Sequence, residues 1–204
     1  MKSIFLSIFS LFLFCSLQAQ TENEKSIEEI LTFRRGLDTD YQDPKESPLG
    51  AENIASFAGH QYFPIDLGLR VWAKVEKLTN QKSFIMPTSG PKKPEYRKFL
   101  KLTFSIDDSS YVLFAYQNVS LVQKEEYKDF LFLPFTDKTN GFESYGGGRY
   151  IDLRIPASDS LLLDFNQCYN PYCAYTSGYS CPIPPKENAL PIKIETGILA
   201  PEKR

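Results

Sequence analysis

Alternation of apolar and polar side chains with a period of two is what most limits the folds open to this sequence. In "RVWAKVEKL", Val71, Ala73 and Val75 alternate with Arg70, Lys74 and Glu76, and in "FLKLTFSI", Leu100, Leu102, Phe104 and Ile106 alternate with Lys101, Thr103 and Ser105. An extended chain sends successive side chains to opposite faces, so each stretch predicts a strand with one buried and one wet face. "DDSS" at 107–110 then turns the chain into "YVLFAYQN", which predicts a hairpin. "SFIMPTS", "FLFLPF", "RYIDLRI", "SLLLDF" and "PIKIETGIL" are further strand candidates. About eight short strands separated by turn signals predict a mainly β fold, an antiparallel sandwich or open barrel rather than a parallel sheet. Trp72, Tyr111, Phe114 and Tyr116 fall inside these strands and are expected to pack the core or cover its rim.

One short N-terminal helix precedes the strands. In "SIEEILTFRRG", Ser26 and Glu29 have capping-box spacing, Ile27, Ile30, Leu31 and Leu37 fall on or near one face, and Gly36 is the expected stop.

The first residues bear on the compartment. Met1-Lys2 leads into an apolar run from Ile4 to Leu17, then "QAQ" with a small residue at Ala19. That run is too short for a membrane span and has the layout of a secretory signal peptide, so residues 1–20 are expected to be a leader and 21–204 a single β-rich domain. Cys15 follows Phe14 rather than the small residue of a lipoprotein leader. The expected location is therefore secreted or periplasmic, with no membrane insertion once the leader is cleaved. Of 23 basic and 25 acidic side chains the leader carries only Lys2, which leaves 22 and 25 and a net charge of about −3. Such a chain has no basic field for phosphate backbones, and no nucleic-acid partner is expected. The oligomeric state is left open.

The densest polar region is "LPFTDKTNGFESYGGGRYIDLRI" followed by "LLLDFNQCYNPYCAY". "PASDS" between them reads as a turn, so Arg149–Ile155 and Ser160–Asn166 are expected to pair as a hairpin. The loop entering Arg149 and the loop leaving Asn166 would then emerge together. That brings Asp137, Glu143, Tyr145, Gly146–Gly148 and Arg149 near Asp164, Asn166, Tyr169, Asn170 and Cys173. Six of these, Glu143, Tyr145, Arg149, Asp164, Asn166 and Asn170, are the candidate ligand-binding residues, with the Arg149 fork suited to a carboxylate or phosphate group. The competing reading has the same groups bonding loop backbones, with Arg149 paired to Asp152 or Asp164.

These blocks, with "YFPIDLGLRVWAKVE" and "ESPLG" upstream, resemble the domain of unknown function 1684 family over about Ile27 to Gly197. The resemblance implies bacterial and archaeal relatives of uncharacterised activity, so it supplies a map of motifs and no reaction. His60 and Cys168 depart from the family pattern. The resemblance accordingly implies a Cys173–Cys181 disulfide, closing a loop of about nine residues for about 2.6 kcal/mol of stabilisation, with Cys168 left over and "QCYNPYC" permitting a competing pair. It also argues against His60, the sole histidine, as a catalytic base, and there is no G-x-S-x-G elbow. His60 is expected to be an ordinary surface or strand-end histidine.

Cys168, Cys173, Cys181 and His60 suffice for zinc by count but not by spacing, and Asp137, Glu143, Asp152 and Asp164 lack a repeated calcium-loop pattern. No metal or cofactor is expected. The function expected is a binding or structural module offering a polar loop pocket to a small molecule or other envelope-associated ligand. The alternative is a hydrolase-type enzyme with two carboxylates as general acid and base and Arg149 holding an anion.

Overall fold

The computed structural model describes residues 2–202, with side chains from Gln20 onward. The apolar run of the expected leader falls on side chains outside the described residues. Helix α1 spans Lys2–Gln42, a single turn α2 spans Ala51–Ile54, and seven strands follow: β1 (Arg70–Lys77), β2 (Phe84–Ile85), β3 (Glu95–Ile106), β4 (Ser109–Asn118), β5 (Phe130–Phe135), β6 (Arg149–Arg154) and β7 (Ser160–Asp164). The strands form one antiparallel sheet in the order β6-β5-β4-β3-β1-β7, with β2 beside β3, curled into a half-barrel. The mainly β expectation holds, in its open form.

The period-two pattern places the core directly. Leu100, Leu102, Phe104 and Ile106 of β3 meet Leu113 and Ala115 of β4, Leu131, Leu133 and Phe135 of β5, and Leu163 of β7 on the concave face. The opposite face is covered at one end, where Tyr96, Tyr116, Phe132 and Tyr150 pack with Met86. Trp72 corrects the expectation for the strand aromatics. It lies on the outward side of β1, beside buried Ala73, and is 68% exposed, as the alternation of that strand dictates.

β3 and β4 form the expected hairpin, with Ile106 opposite Ser109 and Tyr96 opposite Asn118. Its two-residue turn is Asp107-Asp108, both at positive φ (47° and 60°), the conformation that matches the twist of the flanking strands. An L side chain is strained there. Asp108→Gly is expected to stabilise the domain by about 0.5 kcal/mol, read as a higher denaturant midpoint at unchanged slope.

Three expectations are corrected. β6 and β7 are not a hairpin: β6 pairs with β5 and β7 with β1, at opposite edges of the sheet. Residues 155–159 connect the two edges, and a link that short reaches about 20 Å at most, so it can join them only because the sheet curls. Past β7 the chain returns to the free side of β6, where Tyr150 and Tyr169 exchange two backbone hydrogen bonds of 2.9 Å. The two loops therefore do come together, but through this bridge.

The "PIKIETGIL" segment is extended, with Ile194, Thr196 and Ile198 buried and Lys193 and Glu195 exposed, yet it joins the sheet through no ladder. Its carbonyls serve Arg149 instead. Helix α1 does not stop at Gly36. It runs six residues further because Asp38 and Tyr41 are held by tertiary contacts, which offset the roughly 1 kcal/mol cost of an exposed helical glycine. Ser26 and Glu29 lie inside this helix and engage Arg70 rather than capping. Among the described residues no helix is long and apolar enough to cross a membrane.

Candidate functional site

The glycine-rich loop between β5 and β6 is built on Asp137. Its Oδ1 accepts from the Thr139 amide (2.8 Å), the Thr139 hydroxyl (2.7 Å) and the Ile194 amide (3.2 Å), tying the loop to the C-terminal segment. The Thr139 carbonyl then collects the amides of Phe142, Glu143 and Ser144. Gly148 returns the chain to β6 at φ 91°, where a Cβ would come within 2.7 Å of the Phe135 carbonyl oxygen, so only glycine fits.

Arg149 is the first residue of β6, and its side chain is fully buried. One guanidinium nitrogen donates to Asp137 Oδ2 (2.8 Å) and the Ile194 carbonyl (2.8 Å), and the other to the carbonyls of Thr196 (2.6 Å) and Ile198 (3.4 Å). The Phe63 and Phe135 rings flank it. Its carboxylate partner is thus Asp137, neither Asp152 nor Asp164. Asp152 accepts from the Tyr169 hydroxyl (2.7 Å).

The other candidates are engaged similarly. Asp164 Oδ1 accepts from the amide of Asn166 (2.9 Å), and its Oδ2 lies 3.5 Å from Arg70. Asn166 clamps the Asp66 backbone, accepting from its amide (2.9 Å) and donating to its carbonyl (2.8 Å), while also accepting from the Thr196 hydroxyl. Asn170 donates to the Leu199 carbonyl (2.7 Å) and the Tyr175 hydroxyl (3.1 Å). The Lys193 ammonium hydrogen-bonds Glu143 (2.6 Å) and holds its carboxyl below the usual range. Cys173 and Cys181 are disulfide-bonded, and Cys168 is free and buried.

A cavity of about 690 Å³ lies beside this network. Its walls come from Phe57, Gly59 and His60 after α2, from Phe142, Tyr145 and Gly146 of the glycine loop, from Tyr175, and from Leu199 to Glu202. Of the six candidates only Tyr145 lines it. Arg149, Asp164, Asn166 and Asn170 are buried behind it, so the expectation that all six share one cavity is corrected: the polar motif residues hold three segments of backbone together, and the cavity uses their neighbours.

His60 is the residue sequence reasoning undervalued. Its side chain is only 1% exposed, with Nδ1 2.6 Å from Asp38 Oδ1, an oxygen that also accepts from the His60 amide (2.9 Å). Tyr41, Phe57 and Tyr175 surround the ring at centroid distances of 4.3, 4.9 and 5.3 Å. Burial lowers its pKa from the ordinary histidine value, an effect opposed by the Asp38 carboxylate. The aromatic flanks in "FAGHQYFPID" were a usable signal for burial; Asp38 was hidden by ending the helix at Gly36.

Residues 55–198 match the family described as "Protein of unknown function (DUF1684)". The solution NMR structure of an uncharacterised protein from Haloarcula marismortui is similar at 30% sequence identity and a TM-score of 0.69, over 90% of this chain and 98% of that one. No curated protein matches the chain.

Proposed function

This chain belongs to the DUF1684 family, and we propose that it is an exported binding module, which holds a small molecule with a flat apolar body in the cavity between His60, Phe142 and Tyr145. The observation that carries the reading is the cavity itself, about 690 Å³ with aromatic walls, within the range that small-molecule sites occupy. Phe142 is 84% exposed at its mouth, an apolar surface that a bound ligand would cover. The acid–base alternative needs two carboxylates facing the cavity. Asp137 and Asp164 instead bond backbone amides and basic side chains, and neither is among the cavity-lining residues. Export is supported by the leader-like residues 1–20 and by the Cys173–Cys181 bond, which suits an oxidising compartment. The ligand is taken to be a small molecule or other envelope component, with no role for nucleic acid and no membrane insertion after leader removal.

Native mass spectrometry of the exported protein tests the binding reading. A small organic molecule should accompany the wild type, taken up if necessary from an envelope extract, and should be lost from Phe142→Ala/Tyr145→Ala while the melting temperature changes little. Retention by the double variant, or no uptake by the wild type, overturns it. Export has its own test. The intact mass of the secreted product should correspond to a chain beginning at Gln20 or Thr21, and a retained leader or an added acyl mass would contradict this.

A further inference from the structure

We propose that the cavity selects a cation, an amine or quaternary ammonium group carried on the flat apolar body and held against aromatic rings beside the Glu202 carboxylate. The proposal rests on the binding reading above and adds the charge of the ligand. No lysine or arginine is among the described residues that line the cavity, and Glu202 is its one carboxylate. Glu202 is exposed, and its Oε1 accepts from Nε2 of Gln61 (2.8 Å), which is also exposed and also lines the cavity. The pair therefore stands at the open rim, where a molecule arriving from solvent meets it. Glu202 Oε2 has no hydrogen-bond partner among the described residues and is free to accept from an ammonium.

The rings supply the rest of the selection. Phe57, Phe142, Tyr145 and Tyr175 line the same space, and Phe142 is open to solvent at its mouth. The face of an aromatic ring carries partial negative charge, so it attracts a cation where a neutral group gains only contact area. A second carboxylate lies behind Gly59: a Cβ there would come within 3.2 Å of Asp38 Oδ2, while Oδ1 holds His60. The neighbouring cations are engaged elsewhere. Lys193 is paired with Glu143 and Glu195, Arg34 reaches the Phe63 carbonyl and the Tyr62 ring, and Arg149 is buried against Asp137. Burial also works against a charge on His60. An anion would thus meet ring faces and carboxylates with no cation to pair with. Lys203 and Arg204 follow Glu202 in the sequence and lie outside the described residues, so the full chain is the one to test: a cancelling charge from either would abolish the preference.

The probes are 2-naphthylmethylamine, 2-naphthalenemethanol and 2-naphthoate, which put a positive, a neutral and a negative head on one ring system. They are titrated by fluorescence or calorimetry into the full exported chain at pH 7.5 and low ionic strength. The wild type should prefer the amine over the alcohol by roughly tenfold and take 2-naphthoate least. Glu202→Gln keeps an oxygen for Gln61 and deletes the charge; it should weaken the amine roughly three- to fivefold and leave the alcohol unchanged. Raising the salt to about 0.5 M should narrow the gap between amine and alcohol in the wild type. Equal binding of amine and alcohol by the wild type, or an advantage that survives Glu202→Gln or salt in full, overturns the charge selection while leaving the cavity as a binding site. If none of the three probes binds, the charge selection falls and the binding reading loses its flat aromatic ligand class.

Discussion

Arg149→Leu is expected to cost about 5 kcal/mol, enough to consume much or all of the stability of a domain this size, whose usual range is roughly 5–15 kcal/mol. The substitution leaves the Asp137 carboxylate buried without its cation, and breaking such a pair from one side costs about 3–5 kcal/mol. It also removes the donors that satisfy the carbonyls of Ile194, Thr196 and Ile198, and each unpaired buried carbonyl adds a penalty of about 1–3 kcal/mol before relaxation. Arg149→Lys keeps the charge but cannot serve Asp137 and three carbonyls from one ammonium, so an intermediate loss of about 2–3 kcal/mol is expected. Chemical denaturation reads both. Adding Asp137→Asn to Arg149→Leu should cost less than the sum of the two single changes, because it removes the orphaned charge. If Arg149 were a ligand-holding group, its replacement would release a ligand and spare the fold. A loss below about 1 kcal/mol for Arg149→Leu would restore that view.

The strands were legible because their alternation is local: β5, β6 and β7 fall where their apolar runs fall. Their pairing was not. "PASDS" has the composition of a tight turn, and a hairpin was the economical reading, yet Arg149 aligns with Phe135 and Asp164 with Arg70. What separates the two topologies is the curl of the whole sheet, a sum of small twists that no five residues encode. The "PIKIETGIL" segment shows the converse. Its alternation is real and its backbone extended, but period two reports extension and burial, not a hydrogen-bonded neighbour; Arg149 takes the carbonyls a ladder would have used.

Much of the site was misassigned for a physical reason. Polar residues clustered beside glycines mark either a ligand surface or a set of loop clamps, and their composition is the same. Asp137, Arg149, Asn166 and Asn170 are clamps, because the C-terminal segment from Ile194 to Leu199, distant in sequence, supplies backbone partners to Asp137, Arg149 and Asn170 and the Thr196 hydroxyl to Asn166. Tyr145 reaches the cavity because it sits on the loop these clamps hold. Gly36 had the larger consequence. Read as a stop, it removed Asp38 and Tyr41 from the helix, and with them the carboxylate bonded to His60 and the ring packed nearest to it.

Cys173→Ser and Cys181→Ser should each lower stability by about 2.6 kcal/mol, a fall in melting temperature of roughly 5–10 °C, with the double variant no worse than either single one. The bond spans eight positions of sequence in a segment, residues 173–181, that has no sheet to hold it. Most of the effect therefore comes from freeing the unfolded chain and is shared by any change that opens the ring. The loop is also docked from outside: Ser89 donates its amide to the Cys181 carbonyl (2.9 Å), and its hydroxyl accepts from the Cys181 amide (3.0 Å). Opening the ring should loosen that docking and with it Tyr175, which forms a wall of the cavity two residues past Cys173. Reductant should reproduce the loss in the wild type and do nothing further to either variant. Cys168 behaves differently. It is fully buried against Phe165 and Gly197 in the main core, so Cys168→Ala should cost about 1 kcal/mol by leaving a small cavity, whether or not reductant is present. Equal sensitivity of all three cysteines to reductant would mean that the pairing is exchanged with Cys168, and the assignment of the bond would fail.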